Sequence, residues 1–412
     1  MILIKNIKQL IQVEENTSKN WVAGKEMDIL PSIENAWLLI DGELISDFGK
    51  MATCPKGDFE TIDAHGKLVF PSWCDSHTHI IFAGTREGEF SDRLHGLSYQ
   101  EIAKKGGGIL NSAKKLGQTS EEELYHQAMA RIDEIIQLGT GLLEIKSGYG
   151  LTLESELKIL RVAKKIKQNT AIEIKTSFLG AHAIPLAYKN NREGYIQLII
   201  NEMIPAVAQE HLADYIDVFC EKVAFTPEET ERIIIAGKKY GLMPKIHTNQ
   251  FNSMGGIEVS VTHNALSVDH LEVLNDEEIA VLKNAKTIST LLPSAPFFLN
   301  DPYPPARKMI SNGLAVALAS DFNPGSSPSG NMQLVISLAC IKMKMTPKEA
   351  INAATLNGAY ALGLSHKFGS IKRGKVANIF ITKPISTIDF IPYSFGSNNV
   401  EIVLLKGQIK KH

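Results

Sequence analysis

The stretch YIDVFCEKVAFTPEETERIIIAGKKYGLMPKIHTNQ, residues 215–250, contains the repeating unit from which the fold can be predicted. Its apolar runs Tyr215–Phe219 and Met243–Ile246 predict two strands. Between them, the segment Thr226–Glu229 has the spacing of a capping box with proline at the first helical position, and Gly241 is placed to end the helix. A strand, a helix and a second strand in this order are typical of neighbouring parallel strands in one sheet.

The same alternation continues on both sides of this stretch. Helical segments separate most of the eight apolar runs that we predict as strands. Eight such repeats favour a closed (β/α)8 TIM-like barrel over an open doubly wound sheet, so the predicted fold class is α/β. The other six predicted strands are Lys67–Phe70, Gly141–Ile145, Ala171–Phe178, Leu266–Val268, Thr287–Leu292 and Ala315–Ala319.

The two ends of the chain have a different pattern, with short apolar runs around tight turns. Asp41-Gly42 separates two such runs and is a strong hairpin signal, and Lys406-Gly407 follows a similar run near the other end. These segments could pair into one sheet built from both ends, or could form two independent hairpins packed on the main body. Periodicity alone does not distinguish the two arrangements.

Composition limits the classes of partner. The chain has 412 residues, with 43 Lys plus Arg against 45 Asp plus Glu, and this balance argues against a nucleic-acid or anionic-membrane partner. The first residues lack the features of a secretory signal, and no apolar run approaches the roughly 18–20 residues of a membrane helix. Four cysteines without a CxxC pair favour a reducing compartment. We therefore expect a soluble, cytoplasmic protein.

Polar residues follow several of the predicted strands. Because residues i and i+2 of a strand point the same way, both imidazoles of His77-Thr78-His79 can reach one ion. Active sites of (β/α)8 barrels lie at the C-terminal ends of the strands. A lone histidine at such an end is more often structural than a ligand, but the joint pattern is a much sharper signal. It consists of His77 and His79 after the first strand, His247 and His270 after the fifth and sixth, and Asp321 after the eighth. His182 follows the third strand.

The order of these residues resembles that of the amidohydrolase superfamily of metal-dependent hydrolases. Within it, the chain is similar over nearly its whole length to the enzymes that open the ring of 4-imidazolone-5-propanoate in histidine degradation. The resemblance implies a composite β-sandwich domain of residues 1–66 and 365–412 beside a barrel domain of residues 67–364. The motifs that carry the resemblance are Asp75–Arg86, Gly106–Ile109, Glu144–Gly150, Phe178–His182 and Ser320–Gly325.

The resemblance also implies that His77, His79, His247 and Asp321 bind one Zn or Fe ion per subunit. Imidazole nitrogens and a carboxylate suit either metal, and an open coordination position would let a bound water lose a proton near neutral pH and attack the ring carbonyl. Some superfamily members hold a second metal through a carboxylated lysine on the fourth strand. We do not expect Lys222 to be its equivalent, so a mononuclear site is favoured.

Three residues have implied catalytic roles. Asp321 is expected to pass the proton of the water to the leaving nitrogen, and His270 is expected to orient the water or polarise the carbonyl. The alternative for His270 is a structural histidine bonded to Asp269 or Glu272. Gln250 is expected to bind the ring nitrogens, and a proton-shuttle role is doubtful because an amide has no proton to lose, unlike the glutamate of some family members.

The propionate of the implied substrate calls for a guanidinium group, and Arg86 fits that need unless it forms a surface salt bridge. The segment Asn323–Ser326 could hold the product end or be an ordinary turn. The implied substrate-binding residues are Arg86, Tyr149, His182, Gln250, Asn323, Gly325 and Ser326. The partners expected by resemblance are a small-molecule substrate and a second copy of the chain in a homodimer.

The expected reaction, hydrolysis of 4-imidazolone-5-propanoate to N-formimidoyl-L-glutamate, has two alternatives. A deaminase or another cyclic amidase would keep the metal site and change the substrate. In that case Arg86→Ala should hardly alter KM, because a neutral base needs no cation. The third function is an inactive metal-stabilised scaffold, which metal analysis combined with a turnover assay would separate from an enzyme.

Overall fold

The computed structural model describes residues 1–15, 19–97, 101 and 107–410, and its strands form two separate sheets. One sheet is parallel and forms the barrel, and the other is mixed and is built from both ends of the chain. The strands are β1 (Ile2–Ile11), β2 (Ser32–Asp41), β3 (Leu44–Lys50), β4 (Glu60–Asp63), β5 (Leu68–Pro71), β6 (Trp73–Asp75), β7 (Thr140–Lys146), β8 (Glu173–Ala181), β9 (Tyr215–Cys220), β10 (Met243–Thr248), β11 (Ser267–His270), β12 (Ile288–Leu291), β13 (Val316–Leu318), β14 (Ile379–Thr382), β15 (Val400–Leu405) and β16 (Gln408–Lys410).

Helices connect the barrel strands and pack against them. The predicted capping box of Thr226 and Glu229 is present, and its helix ends at Lys239, shortly before Gly241 with a φ of 80°. The α-helices are Glu87–Leu94, Ile109–Gln118, Glu121–Gln137, Leu153–Asn169, Arg192–Leu198, Ile204–Gln209, Pro227–Lys239, Gly256–Thr262, Asp276–Lys283, Ser294–Leu299, Ala306–Ser311, Met332–Met343, Pro347–Ala354, Leu356–Ala361 and Phe390–Tyr393. Short 3-10 helices span Gly24–Asp28, Met51–Thr53 and Leu186–Tyr188, and a π-helical turn spans Ile199–Met203.

The barrel sheet contains β6 to β13 in chain order, and all neighbouring pairs are parallel. Its first and last strands come together just beyond their ends. There the backbone N–H of His79 donates to the carbonyl of Phe322 at 2.9 Å. The N–H of Asp321 donates to the carbonyl of His77 at 3.0 Å. The sheet is therefore a nearly closed eight-stranded barrel, which confirms the predicted TIM-like fold class.

The second sheet combines strands from both ends of the chain, in the order β16-β15-β14-β5-β1-β2-β3, with β4 also paired to β1. Its two halves meet where β14 pairs antiparallel with β5, with Phe380 opposite Phe70. The turns at Asp41-Gly42 and Lys406-Gly407 join the predicted hairpins. One composite sheet is therefore correct, and two independent terminal hairpins are not.

The prediction of Lys67–Phe70 as the first barrel strand is wrong, because this segment belongs to the other sheet. Leu68–Pro71 forms β5 of the composite sheet, where it pairs with β1 and β14. The barrel begins after Ser72, with Trp73–Asp75. Because both strands are buried and only one residue separates them, the apolar run does not indicate which sheet it enters. The domain division at residue 67 stays a prediction.

The two sheets share part of one hydrophobic core. Phe70 and Phe380 of the composite sheet stack with their ring centroids 5.1 Å apart. Trp73, on the first barrel strand, packs against both rings at 5.7 and 4.7 Å. This aromatic contact fixes the position of the strand that leads directly to His77 and His79.

Two expectations from composition can also be compared with the fold. Within the described part of the chain, no helix combines the length and apolar character needed to cross a membrane. Cys54, Cys74, Cys220 and Cys340 are free thiols.

Candidate active site

Three histidine side chains meet at the C-terminal end of the barrel. His77 and His79 follow β6, and His247 lies in β10. Nε2 of His247 is 3.4 Å from Nε2 of His79, and one ring nitrogen of each histidine lies within 4.8 Å of the other two. Tetrahedral ligands at about 2.1 Å from an ion are roughly 3.4 Å apart, so this spacing fits a metal ion.

The second nitrogen of each ring has a hydrogen-bond acceptor. Nδ1 of His77 lies 2.7 Å from Oδ2 of Asp269. Nδ1 of His247 lies 3.0 Å from Oδ1 of Asp217, and Nδ1 of His79 lies 3.2 Å from a backbone carbonyl oxygen. Protons on Nδ1 leave the lone pairs of Nε2 free for a metal. Nε2 of His77 is buried without a hydrogen bond among the described residues, as expected of a ligand atom.

The electrostatics of the site favour the form of histidine that binds metals. Burial lowers the pKa of His77, His79 and His247 well below its ordinary value, and the ammonium group of Lys146 contributes to this shift. Neutral imidazole is the metal-binding form. The buried donor set therefore fits a divalent metal ion.

Asp321 faces two of these histidines. Its Oδ1 lies 3.5 Å from Nε2 of His77 and 3.9 Å from Nε2 of His79. Burial raises the pKa of Asp321 to about 6, and Ser326 donates to its Oδ2 at 3.2 Å. The residue has a φ of 55°, a left-handed conformation that is unusual for a non-glycine residue and typical of functional sites. A role as fourth ligand stays a prediction.

Inside the barrel, next to the histidines, lies a cluster of five charged side chains that we call the charged floor: Glu144, Lys146, Asp217, Lys245 and Asp269. All five are buried. Nζ of Lys146 lies 2.8 Å from Glu144 and 2.7 Å from Asp217. It also lies 3.6 Å from the Asp269 oxygen that bonds His77. Lys245 donates to Glu144 at 2.6 Å and to two backbone carbonyls. Lys146 thus connects the carboxylates that orient two of the three histidines.

We call His270, Glu272 and Gln250 the wall of the site: Glu272 lies beside His270, and Gln250 lines a cavity with Glu272. The His270 ring centroid lies 5.7 Å from that of His77, and its Nδ1 is 3.5 Å from Oε1 of Glu272. Burial alone would lower the pKa of His270, but the charge of Glu272 and its contact with the ring raise it. The alternative for His270 named two partners, Asp269 and Glu272. Asp269 bonds His77, and Glu272 is the one that lies beside the Nδ1 of His270.

Arg86 and Gly325, both predicted to bind substrate, come together. A Cβ at position 325 would overlap Nη1 of Arg86, so the glycine gives the guanidinium its space. Nε of Arg86 donates to Glu89 at 2.9 Å, and Glu89 also accepts from the N–H of Gly108 at 2.9 Å. Arg86 and Glu89 thus form an ion pair, as the alternative predicted, but it is largely buried, with the Arg86 side chain 14% exposed. Substrate binding by Arg86 stays a prediction. Gly106, of the glycine motif, lies outside the described residues.

Tyr149 and His182 line the side of the site next to His79. The rings of His182 and His79 are parallel, with centroids 5.3 Å apart, and the Tyr149 ring lies 5.5 Å from both. Burial lowers the pKa of His182 to about 4. The loop that carries Tyr149 is shaped by the buried Glu156, which accepts three backbone N–H groups at 2.8–2.9 Å.

Asn323 and Ser326 are engaged in a turn of their own. Oδ1 of Asn323 accepts from the N–H groups of Gly325 and Ser326 at 2.8 and 2.9 Å. Nδ2 of Asn323 donates to the carbonyl of Asp321 at 2.6 Å. This turn therefore supports Asp321, and the substrate contacts predicted for Asn323, Ser326 and Gln250 stay predictions.

Sequence reasoning assigned no role to the charged floor. Its residues lie within strands that are buried on both faces, as in YIDVFC around Asp217. An ionisable side chain in such a strand needs a buried partner, since its isolated burial is costly. That signal could have identified the floor residues as a group, but not their individual pairs.

Three comparisons place the chain among known proteins. The sequence model of the Amidohydrolase family matches residues 68–410. Imidazolonepropionase of Christiangramia forsetii is 59% identical over 410 residues, and that of Flavobacterium johnsoniae is 60% identical over 408 residues. Each alignment covers 99% of both chains. A mutant of atrazine chlorohydrolase from Arthrobacter aurescens, complexed with zinc and atraton, has a TM-score of 0.74 at 16% identity and covers 99% of this chain and 95% of that one.

The likeness to the solved structure, at 16% identity, shows the fold alone. The family model and the relatives matched over the full chain show the family. The chain belongs to the amidohydrolase family and, within it, to the imidazolonepropionases.

Proposed function

We propose that this protein hydrolyses 4-imidazolone-5-propanoate to N-formimidoyl-L-glutamate, the third step of histidine degradation. The observation that carries the proposal is identity of 59% and 60% to two imidazolonepropionases along the full chain. The three converging ring nitrogens support it, as does the guanidinium of Arg86 beside Gly325, four residues after Asp321.

His77, His79 and His247 would hold one metal ion, with Asp321 as the fourth ligand. A metal ion bound there lowers the pKa of a coordinated water into the neutral range and polarises a carbonyl group. The zinc in the structure of atrazine chlorohydrolase favours Zn, while imidazole and carboxylate ligands suit Fe equally well. The exposed position of Lys222 is consistent with a single ion.

The residues around the metal ligands carry the proton transfers and hold the developing charge. Asp321 takes a proton from the attacking water and delivers it to the ring nitrogen as the C–N bond breaks. His270 donates a hydrogen bond to the carbonyl oxygen, where negative charge develops in the transition state. Ser326 holds the carboxylate of Asp321 in place.

The remaining polar residues bind the substrate. Arg86 pairs with the propionate as a planar guanidinium, which matches the geometry of a carboxylate. Gln250 binds the ring nitrogens with its amide. The other residues proposed to contact substrate or product are Tyr149, His182, Asn323, Gly325 and Ser326.

The test is turnover by the purified protein. After metal content has been measured, protein loaded with Zn or Fe is mixed with 4-imidazolone-5-propanoate, and N-formimidoyl-L-glutamate is quantified. We expect stoichiometric conversion well above the rate without protein. Metal-loaded protein that leaves the substrate at the background rate would overturn the proposal.

We also propose that the enzyme is a cytoplasmic homodimer. Sedimentation equilibrium of the metal-loaded protein should give twice the mass of one chain. The mass of a single chain would contradict this assignment.

A further inference from the structure

Glu272 is a buried carboxylate whose hydrogen-bonding capacity is unused within the described part of the chain. Its side chain is 5% exposed, and no residue described here donates a hydrogen bond to either oxygen. Its Oε1 lies 3.5 Å from Nδ1 of His270, which likewise has no hydrogen-bond partner. Two complementary buried groups therefore face each other at slightly more than hydrogen-bond distance.

Other buried glutamates of the barrel differ from Glu272 in this respect. Glu144 pairs with two lysines, Glu156 accepts three backbone N–H groups, and Glu221 accepts the N–H groups of Phe251 and Asn252. Buried polar groups without partners are rare in folded proteins because their desolvation is not compensated. Glu14, outside the barrel, shares this lack of hydrogen bonds, but its neighbour is the ammonium group of Lys375. Glu272 is distinguished by its neighbour, the imidazole of His270.

The position of the pair points to the reaction site. The ring centroid of His270 lies 5.7 Å from that of His77 and 5.4 Å from that of His247. Glu272 also lines, with Gln250, a cavity of about 180 Å³ whose described lining includes none of these histidines. The backbone between the two partners is unusual, since His270 has a φ of 89° and Leu271 a φ of 67°. Such conformations persist where the surrounding structure enforces them and cluster at functional sites. The chain thus turns sharply after β11 and places Glu272 beside the ring of His270.

The chemistry of the wall singles out Glu272 among its three members. Gln250 has an amide, which carries no charge and cannot hold a proton on an imidazole with the strength of a carboxylate. An acceptor at Nδ1 fixes the tautomer and the orientation of a histidine, so that the other nitrogen keeps one direction. The two nitrogens of an imidazole point in diverging directions, so when Nδ1 of His270 faces Glu272, Nε2 faces away from it.

We infer that Glu272 is a positioning residue for the ring-opening reaction: its carboxylate accepts the Nδ1–H of His270 and holds the imidazole with Nε2 directed at the substrate carbonyl. The inference rests on the proposed function for the role of His270 in turnover. The contact between the two side chains, however, can be tested without substrate.

The experiment compares Glu272→Gln with Glu349→Gln in metal-loaded protein. Glu349 is a matched control because it is also buried, but it belongs to a helix capping box with Thr346. We expect Glu272→Gln to lower kcat by about 10- to 100-fold with KM changed less than threefold, because a carboxylate that orients a histidine contributes on this scale. Glu349→Gln should lower Tm and leave kcat unchanged.

A spectroscopic readout separates positioning from general damage to the fold. In protein with ¹⁵N-labelled histidine, the ring signals of His270 are assigned by their loss in His270→Asn. We expect one His270 nitrogen in the wild type to be protonated and hydrogen-bonded, and its shift to change in Glu272→Gln but not in Glu349→Gln. Metal content should be equal in all three proteins.

Three results would overturn the inference: an unchanged His270 spectrum in Glu272→Gln, a kcat within threefold of the wild type, or a loss confined to KM. If Glu272→Gln does not fold, Glu272→Asp withdraws the carboxylate by one methylene and should shift the same His270 signal. A wild type without turnover on imidazolonepropanoate would contradict the proposed function, whereas the spectra would still test the contact.

Discussion

The charged floor and the wall of the site bury carboxylates in opposite ways. In the floor, Lys146 lies 2.8 Å from Glu144 and 2.7 Å from Asp217, so each charge has a partner of opposite sign. In the wall, Glu272 is nearly as buried, but among the residues described neither of its oxygens accepts a hydrogen bond. In the floor, all the charges are therefore paired, and its carboxylates hold two histidines of the candidate metal site. The wall keeps hydrogen-bonding groups available.

The two regions should also differ in how they respond to substitution. Removing one partner of a satisfied buried ion pair leaves a charge uncompensated and costs about 3–5 kcal/mol of stability. Neutralising Glu272, whose one partner is the His270 ring at 3.5 Å, removes a desolvation penalty together with a single contact, so the free energy of unfolding should fall little or rise. We expect the floor to control stability and metal retention, and the wall to control turnover.

The largest effect is expected at His247, where the floor meets the metal site. His247→Ala removes a ligand and leaves Asp217 without its imidazole partner. Turnover of imidazolonepropanoate should fall by ~10³-fold or more, equivalent to about 4 kcal/mol of transition-state stabilisation. Metal content, measured by mass spectrometry, should fall to near zero. His126→Gln, which changes an exposed histidine, should leave both unchanged.

The next effect is expected at Lys146, at the centre of the floor. Lys146→Met keeps the length of the side chain and removes its charge, so Asp217 and Asp269 lose their common cation. The free energy of unfolding in denaturant should fall by about 3–5 kcal/mol, and metal affinity by roughly 10- to 100-fold. Glu272→Gln is the matched wall variant. Equal losses of stability in the two proteins would show that the contrast between floor and wall is wrong.

A smaller effect, confined to substrate binding, is expected at Arg86. Arg86→Ala removes the proposed partner of the propionate, and KM should rise by at least ~30-fold, since a truncated buried charge pair typically costs 2 kcal/mol or more. Metal content should stay at the wild-type value because the ion-pair partner of Arg86 is Glu89, which is not among the proposed metal ligands. Arg232→Ala, which removes a surface ion pair with Glu193, is the control. An unchanged KM would favour a neutral substrate and hence the deaminase alternative.

The smallest effect is expected at Gly325, which acts through Arg86. Gly325→Ala adds a methyl group that overlaps the guanidinium and must displace it. KM should rise by about tenfold, because a misplaced binding group loses part of its interaction energy. The double variant that combines Arg86→Ala with Gly325→Ala should have the same KM as Arg86→Ala, because without the guanidinium the added methyl group displaces nothing. A further rise in the double variant would contradict this explanation.

The barrel strands and the convergence of His77, His79 and His247 could be predicted because their signals are local. The alternation of apolar runs with capped helices marks each strand, and the His-x-His spacing follows from the two-residue period of a strand. The misplaced strand Lys67–Phe70 shows the limit of local signals. Leu68–Pro71 and Trp73–Asp75 are equally apolar and buried, and only their hydrogen-bonded partners decide which sheet each one joins.

The pairs within the site could not be predicted because they join residues that are distant in the sequence. Asp269 follows His77 by 192 positions, and no spacing rule connects them. The φ of 89° at His270 could not be predicted either, since positive φ is uncommon in non-glycine residues and no local pattern marks it. Arg86 and Gly325 were both predicted as substrate-binding residues, but their direct contact depends on a missing Cβ in the folded chain.

The passage from β5 through Ser72 into the first barrel strand has a consequence for biosynthesis. β5 pairs with β14, which the ribosome makes more than 300 residues later. One side of the strand that leads to His77 and His79 therefore becomes anchored late, when translation has nearly finished. A nascent chain would then complete its metal site only after the C-terminal strands have been made. The positions of His77 and His79, synthesised early, would thus depend on one of the last segments synthesised.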